Sequence, residues 1–291
     1  MELILKITNH DYKMFLNSNV DALVIALEGF SCDYLIDYPL DDLPEIITNI
    51  KKHNKKVYLS LNIIANEDTT KKLETLINQI LALEVDGYVV SDFGFLQIFK
   101  ENNQHNRVIF NPVTTITNKY SSKIANDLGI NHVCIANELN FNDILDIANY
   151  TNGNIEILAQ GYYQICNSKR ALISNFLKKL KIKKNSSTYY IKEESRDYAY
   201  PIVEINNDLF VYTDKQRSLL TYLKPLKNAN IKYYRIDTTL LNYDDINKII
   251  DIYHNALKED KYEEEYVIQL ENLNSNMKCL DNVSILKKEG K

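Results

Sequence analysis

Seven polar side chains sit at or just past the ends of short apolar runs: Glu28, Asn62, Asp92, Asn111, Glu138, Gln160 and Asp237. Carboxylates could move a proton and amides could hold a polar ligand, provided one end of a sheet gathers them. Asp92, Asn62, Gln160 and Asp237 are therefore the catalytic candidates. Structural readings stand beside the chemical ones. Asp92 opens SDFGF, where Asp is a favoured helix cap. Asn111 precedes Pro112, which restricts its backbone to extended forms, so a structural turn competes with a ligand contact. Asn62 ends a strong apolar run and suits a loop hydrogen bond as well as a ligand.

A second signal is electrostatic. Residues 157–192 contain no Asp or Glu but carry Lys169, Arg170, Lys178, Lys179, Lys181, Lys183, Lys184 and Lys192, a charge of +8. The whole chain is at -5, which leaves -13 for the remainder. Such asymmetry suits an anion-binding face on an acidic protein. Tyr162, Tyr163, Tyr189 and Tyr190 lie in the same stretch and could stack on bases. Lys178, Lys179, Lys181, Lys183 and Lys184 are the RNA-binding candidates; a solvated lysine-rich helix is the competing reading. Lys169 and Arg170 follow Gly161 and a short loop. Together with Ser168 and Asn111, they are the expected site for a small carboxylate or phosphate.

Several chemistries have no footing in the residues. HExxH, GxSxG, GxxxxGK[ST] and GxGxxG are all missing. Cys32, Cys134, Cys166 and Cys279 form no CxxC pair, and no metal site is expected. Cys134, inside HVCIAN, reads as a buried thiol. Ser168 or Cys166 could be a nucleophile only beside a base, and the sequence points to none. Of the five histidines, His10 alone follows a strand closely enough to reach a site at the strand ends.

The elements that must position these residues repeat along the chain. LILKI (3–7), ALVIAL (22–27), KVYLSLN (56–62), GYVVS (87–91), RVIFN (107–111), HVCIA (132–136), IEILAQ (155–160) and YYRID (233–237) read as strands separated by helices. Runs rich in Val and Ile suit parallel strands covered on both faces. Eight of them predict an α/β fold, a (β/α)₈ TIM-like barrel, with a doubly wound open sheet as the alternative. Chemistry in such a barrel gathers at the C-terminal ends of the strands. Residues 185–215 predict a small β insertion before the last strand. The barrel domain is expected over 1–259, with an irregular, acidic C-terminal appendage over 260–291. No apolar run approaches the roughly eighteen residues of a membrane helix, so a cytoplasmic protein without membrane contact is expected.

Blocks spread over residues 2–259 resemble the collagenase-like peptidases, family thirty-two among peptidases of unknown catalytic type. They include NVDALVIALEGFS (19–31), KKVYLSLN (55–62), VDGYVVSDFGFLQIFKE (85–101), NPVTTITN (111–118), LGINHVCIANEL (128–139), EILAQGYYQICNSKR (156–170), RDYAYPIVE (196–204) and YYRID. The resemblance implies the barrel-like fold and, by the family's name, a peptidase. The family's signature is roughly E-x-F-x-H-G, with cysteines three and ten positions after the glycine. Here Glu156 and Gly161 match, Gln160 replaces the histidine, and Gln164 and Ala171 stand where the cysteines belong. Members that keep four such cysteines bind an iron–sulfur cluster; the departures imply that this chain binds none. Thr238 and Thr239 replace the usual glycine and arginine after the last strand. The remainder resembles a short, cysteine-poor branch needed for prephenate-dependent hydroxylation of the tRNA wobble uridine. That resemblance implies tRNA as partner, a prephenate-like dicarboxylate as co-substrate, and a longer paralogue beside which this chain is catalytic or accessory.

Overall fold

The computed structural model describes residues 1–195, 197–259 and 264–273. Residues 260–263 and 274–291, most of the expected appendage together with Cys279, lie outside the described residues. Seven strands come first: β1 (Glu2–Lys6), β2 (Ala22–Ala26), β3 (Lys56–Leu61), β4 (Gly87–Val90), β5 (Val108–Phe110), β6 (His132–Cys134) and β7 (Ile155–Gly161). After them come β8 (Gln164–Ser168), β9 (Thr188–Lys192), β10 (Ala199–Ile205), β11 (Asp208–Tyr212) and the short β12 (Arg217–Ser218). The last is β13 (Tyr233–Asp237). Strands β1 to β7 and β13 pair in parallel, and the β6–β7 pairing completes a closed eight-stranded barrel. The expected TIM-like barrel is the observed fold.

Alternation along the strands divides the core. Ile4, Val24, Tyr58, Val89, Ile109 and Cys134 form a small inner cluster within the ring, while their neighbours Leu3, Leu5, Leu23, Leu59 and Val90 join the larger core. A period of two sends successive side chains to opposite faces, so each strand can serve both layers. The helices α1 (Leu43–Lys52), α2 (Glu67–Leu81), α3 (Phe93–Glu101), α4 (Lys119–Asp127) and α5 (Phe141–Tyr150) connect the first strands. On α2, Leu73, Ile77 and Ile80 share one buried face at helical spacing. Asn66 starts that helix through a capping box with Thr69.

The added unit differs in extent from the expected 185–215. Helix α6 (Leu172–Leu180) and the antiparallel sheet β8–β11–β10–β9 build it, beginning at Gln164, immediately after β7. Most of β8 is exposed, so it lacks the apolar alternation that marks a half-buried strand. One face of the sheet packs on α6 through Ile173, Leu177, Leu209, Ile202 and Val211. The other face brings Val203, Phe210 and Tyr212 into the main core. The unit is thus a roof over one end of the barrel. The chain returns through α7 (Leu223–Asn228), β13 and α8 (Tyr243–Lys258). Helix α9 (Glu264–Leu273) buries Leu270 in the main core. No helix among the described residues is long and apolar enough to cross a membrane.

Candidate functional site

Beneath the roof, at the C-terminal ends of the strands, lies a cavity of about 310 Å³. Lys6, Arg235 and Asp237 reach it from the barrel, and Asp33 from the chain after β2. Parallel register sets Lys6 beside Asp237, and the pleat puts Arg235 and Asp237 on one face of β13. Asn62, Asn111 and Asn137 supply amides, while Tyr162 and Tyr163 follow β7. Gly161 makes that turn possible: its φ is +136°, and a Cβ there would stand 2.7 Å from the Asp237 carbonyl oxygen.

A chain of buried ion pairs forms the floor. The Lys6 Nζ donates to Asp33 and, at 3.1 Å, to Asp237. Arg235 donates through Nε to Glu156 at 2.7 Å and through Nη1 to Asp237 at 3.3 Å. The second oxygen of Glu156 lies 2.8 Å from the His132 Nε2. Thr239 donates its backbone N–H and hydroxyl to Asp237 at 3.0 and 2.6 Å. Asn62 donates to Asp33 at 3.0 Å and accepts from the Cys32 N–H at 3.0 Å. Burial alone would lower the Lys6 pKa, but Asp237 and Asp33 outweigh it and raise it. Burial would likewise raise Asp237, yet Lys6 and Arg235 hold it below the usual carboxylate range. Two cations therefore face three carboxylates, and each cation is already paired.

The walls carry what the floor lacks. The Ser91 Oγ, Asn137 Oδ1 and Tyr212 hydroxyl are buried, make no hydrogen bond within the protein, and belong to residues lining this cavity. An unsatisfied buried polar group costs about 1–3 kcal/mol, and these three belong to residues of the cavity wall. Nearby, Val113 is held at φ +63°, a conformation a β-branched residue adopts only under strain. The Asn111 Oδ1 accepts from its N–H at 3.3 Å. Strain of this kind concentrates at ligand sites.

The sequence candidates are distributed unevenly. Asn62, Asn111 and Asp237 line the cavity. Asp92 caps α3 instead, accepting from the Gly94 N–H at 2.7 Å. Gln160 is buried on the opposite side of its strand, donating to Gln216 at 2.8 Å and accepting from the Tyr253 hydroxyl at 3.3 Å. Glu28 and Glu138 are exposed. His10 packs edge-on against Phe15 and contacts the Leu241 carbonyl at 3.1 Å. Lys169 and Arg170 are exposed and do not line the mouth; the Lys169 Nζ donates to the Ile64 carbonyl at 2.6 Å. With Ser168, Lys169 borders a small recess beside Cys32 and Asp208. Lys178 and Lys179 lie on α6, and Lys181, Lys183 and Lys184 follow it, on the side of the sheet away from the barrel. Lys184 pairs with Glu204 at 3.2 Å.

The mouth cations are thus Lys6 and Arg235. A sequence signal for them exists: Lys6, Glu156 and Arg235 each interrupt an apolar strand at an inward position. Arg217 was also missed. Burial lowers its pKa to about 10. It donates through Nη2 to the Leu139 carbonyl at 3.0 Å, and its Nε has no partner. His132, Cys134 and Glu156 lie close enough to share an ion, but Arg235 already occupies one Glu156 oxygen and would oppose a second cation. Among the described residues the cysteines do not gather into a cluster-binding set: Gln164 and Ala171 stand at the signature positions, Cys134 lies inside the barrel, and Cys32 and Cys166 border the mouth.

A sequence model described as peptidase family U32 matches residues 8–286. Over 285 residues the chain is 22% identical to tRNA hydroxylation protein P2 of Bacillus subtilis, covering 93% of this chain and 92% of that protein. It is 24% identical over 278 residues to tRNA hydroxylation protein P of Helicobacter pylori, covering 87% of this chain and 65% of that one. A third similarity, 24% over 155 residues, is to the 23S rRNA 5-hydroxycytidine C2501 synthase of Escherichia coli, covering 53% of this chain and 23% of that protein.

Proposed function

We infer the function of this chain from one premise: it belongs to peptidase family U32. Within that family we propose that it is a tRNA-modification protein acting in C5 hydroxylation of uridine, with the barrel mouth receiving the target ring. Relatives named for tRNA and rRNA hydroxylation support the reading. The observation that carries it is the trio of unpaired groups on residues lining the mouth: one amide acceptor, Asn137 Oδ1, and two hydroxyls, Ser91 and Tyr212. A uracil ring presents one N–H between two carbonyls, the complement of one acceptor and two donors. The ring is neutral, which suits a floor whose charges are already paired.

Hydroxylation also needs an oxidising group. Because the described cysteines do not gather into a cluster-binding set, the proposal gives it the work of holding and orienting the base. The redox step then belongs to a partner, with a longer paralogue of the family as the candidate. A prephenate-like dicarboxylate finds no unopposed cation on the floor, so Lys169 and Arg170 on the outside remain its proposed contacts. Peptidase chemistry gains no support from Cys32. Its thiol donates to the Asn62 carbonyl at 3.2 Å, and burial pushes its pKa up, the opposite of an activated nucleophile.

The test is mass analysis of tRNA nucleosides from a strain lacking this chain. Loss of 5-hydroxyuridine and its derivatives is expected, with recovery on supplying the natural chain but not Asn137→Ala. Unchanged nucleosides in the deletion strain would refute the reading.

A further inference from the structure

A larger cavity, about 720 Å³, opens between the roof and the barrel loops. Its upper wall is one face of the added sheet: Tyr190 on β9, then Ala199, Pro201 and Val203 on β10. Its lower wall comes from the loops after β1 and β13, through Asn9 and residues 240–242. Asp33, Tyr162 and Tyr212 line both this cleft and the mouth, so the two spaces adjoin.

We propose that this cleft binds the unpaired nucleotides flanking the target base, stacking them on Tyr190 and Tyr198. The proposal rests on the reading that the mouth takes a pyrimidine. Tyr190 is 70% exposed and Tyr198 is 40% exposed, although both border a cavity. Tyr198 stands edge-on to Tyr200, with ring centroids 5.3 Å apart. Exposed aromatic rings beside a wide channel form a stacking surface that accepts any base, because every base offers a flat π face.

The charges suit a nucleic-acid strand. Asp33 is paired with Lys6, and among the described residues the remaining ionised groups of the cleft, Asp214 and Lys215, carry opposite signs. Tyr190 itself lies within the acid-free segment of +8 that runs through the same added unit. Lys215 lines the cleft, and Lys192 lies two positions along β9 from Tyr190, on the same face by the pleat. A base extruded from the strand has a short path past Tyr162 and Tyr212 into the mouth, whereas a paired duplex offers no exposed base faces to stack.

The experiment measures binding of fluorescein-labelled hexauridylate to the full chain by anisotropy, beside a twelve-base-pair RNA duplex. The single strand is expected to bind more tightly. Tyr190→Ala and Tyr198→Ala should each weaken it about five- to a hundredfold, from roughly 1–3 kcal/mol per stacked base. Tyr190→Phe should retain binding, and the salt dependence should keep its slope because the phosphates keep their partners. Unchanged affinity in both alanine variants, equal affinity for the duplex, or no hexauridylate binding by the natural chain would each overturn the proposal. Unfolding curves check that both exposed sites tolerate substitution. Should the deletion strain retain hydroxyuridine while the tyrosine variants lose binding, the functional reading fails and the cleft stands. The reverse pattern removes the cleft alone.

Discussion

Replacing Glu156 by glutamine tests whether the charges under the mouth act as one paired unit. Glu156 is 4% exposed. It accepts from the Arg235 Nε at 2.7 Å and meets the His132 Nε2 at 2.8 Å. Glutamine keeps the shape but puts an N–H₂ donor where one acceptor stood. Arg235 then retains only Asp237, at 3.3 Å, as an anionic partner. Removing one partner of a buried pair costs about 3–5 kcal/mol. Titration leads to a similar magnitude by another route. Burial alone would raise the Glu156 pKa, but the hydrogen bond from His132 and the Arg235 charge lower it from the ordinary 4.5 to about 2. At about 1.4 kcal/mol per pH unit, that displacement is worth about 3 kcal/mol. The folded pKa lies below the unfolded one, so this stabilisation is complete above about pH 5 and is lost as pH falls towards 2. The glutamine variant lacks it at every pH. The two proteins should therefore differ by about 3 kcal/mol at pH 7 and converge in acid. Urea unfolding followed by far-ultraviolet circular dichroism reads both quantities, since the chain has no tryptophan. A difference under about 1 kcal/mol at pH 7, or one that does not change with pH, would refute the paired-unit account.

Asp92→Ala should cost about 1 kcal/mol in the same urea assay, the usual effect of losing a helix cap, and leave hydroxyuridine content unchanged. Lost modification with intact stability would return Asp92 to the chemistry. Reversing Lys178, Lys179 and Lys181 to Glu should weaken tRNA binding and flatten the plot of log affinity against log salt, by about 0.9 for each phosphate that loses its cation. Equal binding before and after would place the α6 end outside the RNA path.

The barrel strands were legible because each is a compact apolar run, and eight such runs separated by helices leave few ways to arrange a sheet. The roof was less so. QICNS, which forms β8, has neither alternation nor β-rich apolar content, because most of that strand is exposed. The rule that barrel chemistry gathers at strand ends found Asn62, Asn111 and Asp237. It also admitted Asp92 and Gln160, whose positions along the chain are equivalent but whose side chains cap a helix and face α8. The floor was hidden for a different reason. Lys6 and Asp237 are 231 positions apart and meet only through β1–β13 register. Lys169 and Arg170 were expected at the mouth as loop residues, yet the chain enters β8 after Gly161 and carries them to the far end of that strand.

That displacement changes what the positive charge is for. Buried pairs such as Lys6–Asp237 and Arg235–Glu156 have most of their Coulombic gain offset by desolvation, so they fix geometry more than they attract ligands. A floor with one more carboxylate than cations cannot draw a polyanion into the mouth. The exposed lysines of the added unit can draw one to its surface, because counterion release needs only cations near phosphates. On the proposed reading, affinity and selectivity are carried by different parts of the molecule: the basic roof holds the backbone, while the unpaired Ser91, Asn137 and Tyr212 groups choose the ring. Phosphate contacts position and base contacts specify, and a barrel whose cations are each paired with a carboxylate can make that division. Were the mouth built for a small dianion instead, one of its two cations among the described residues would have to stand free of a carboxylate, and neither does.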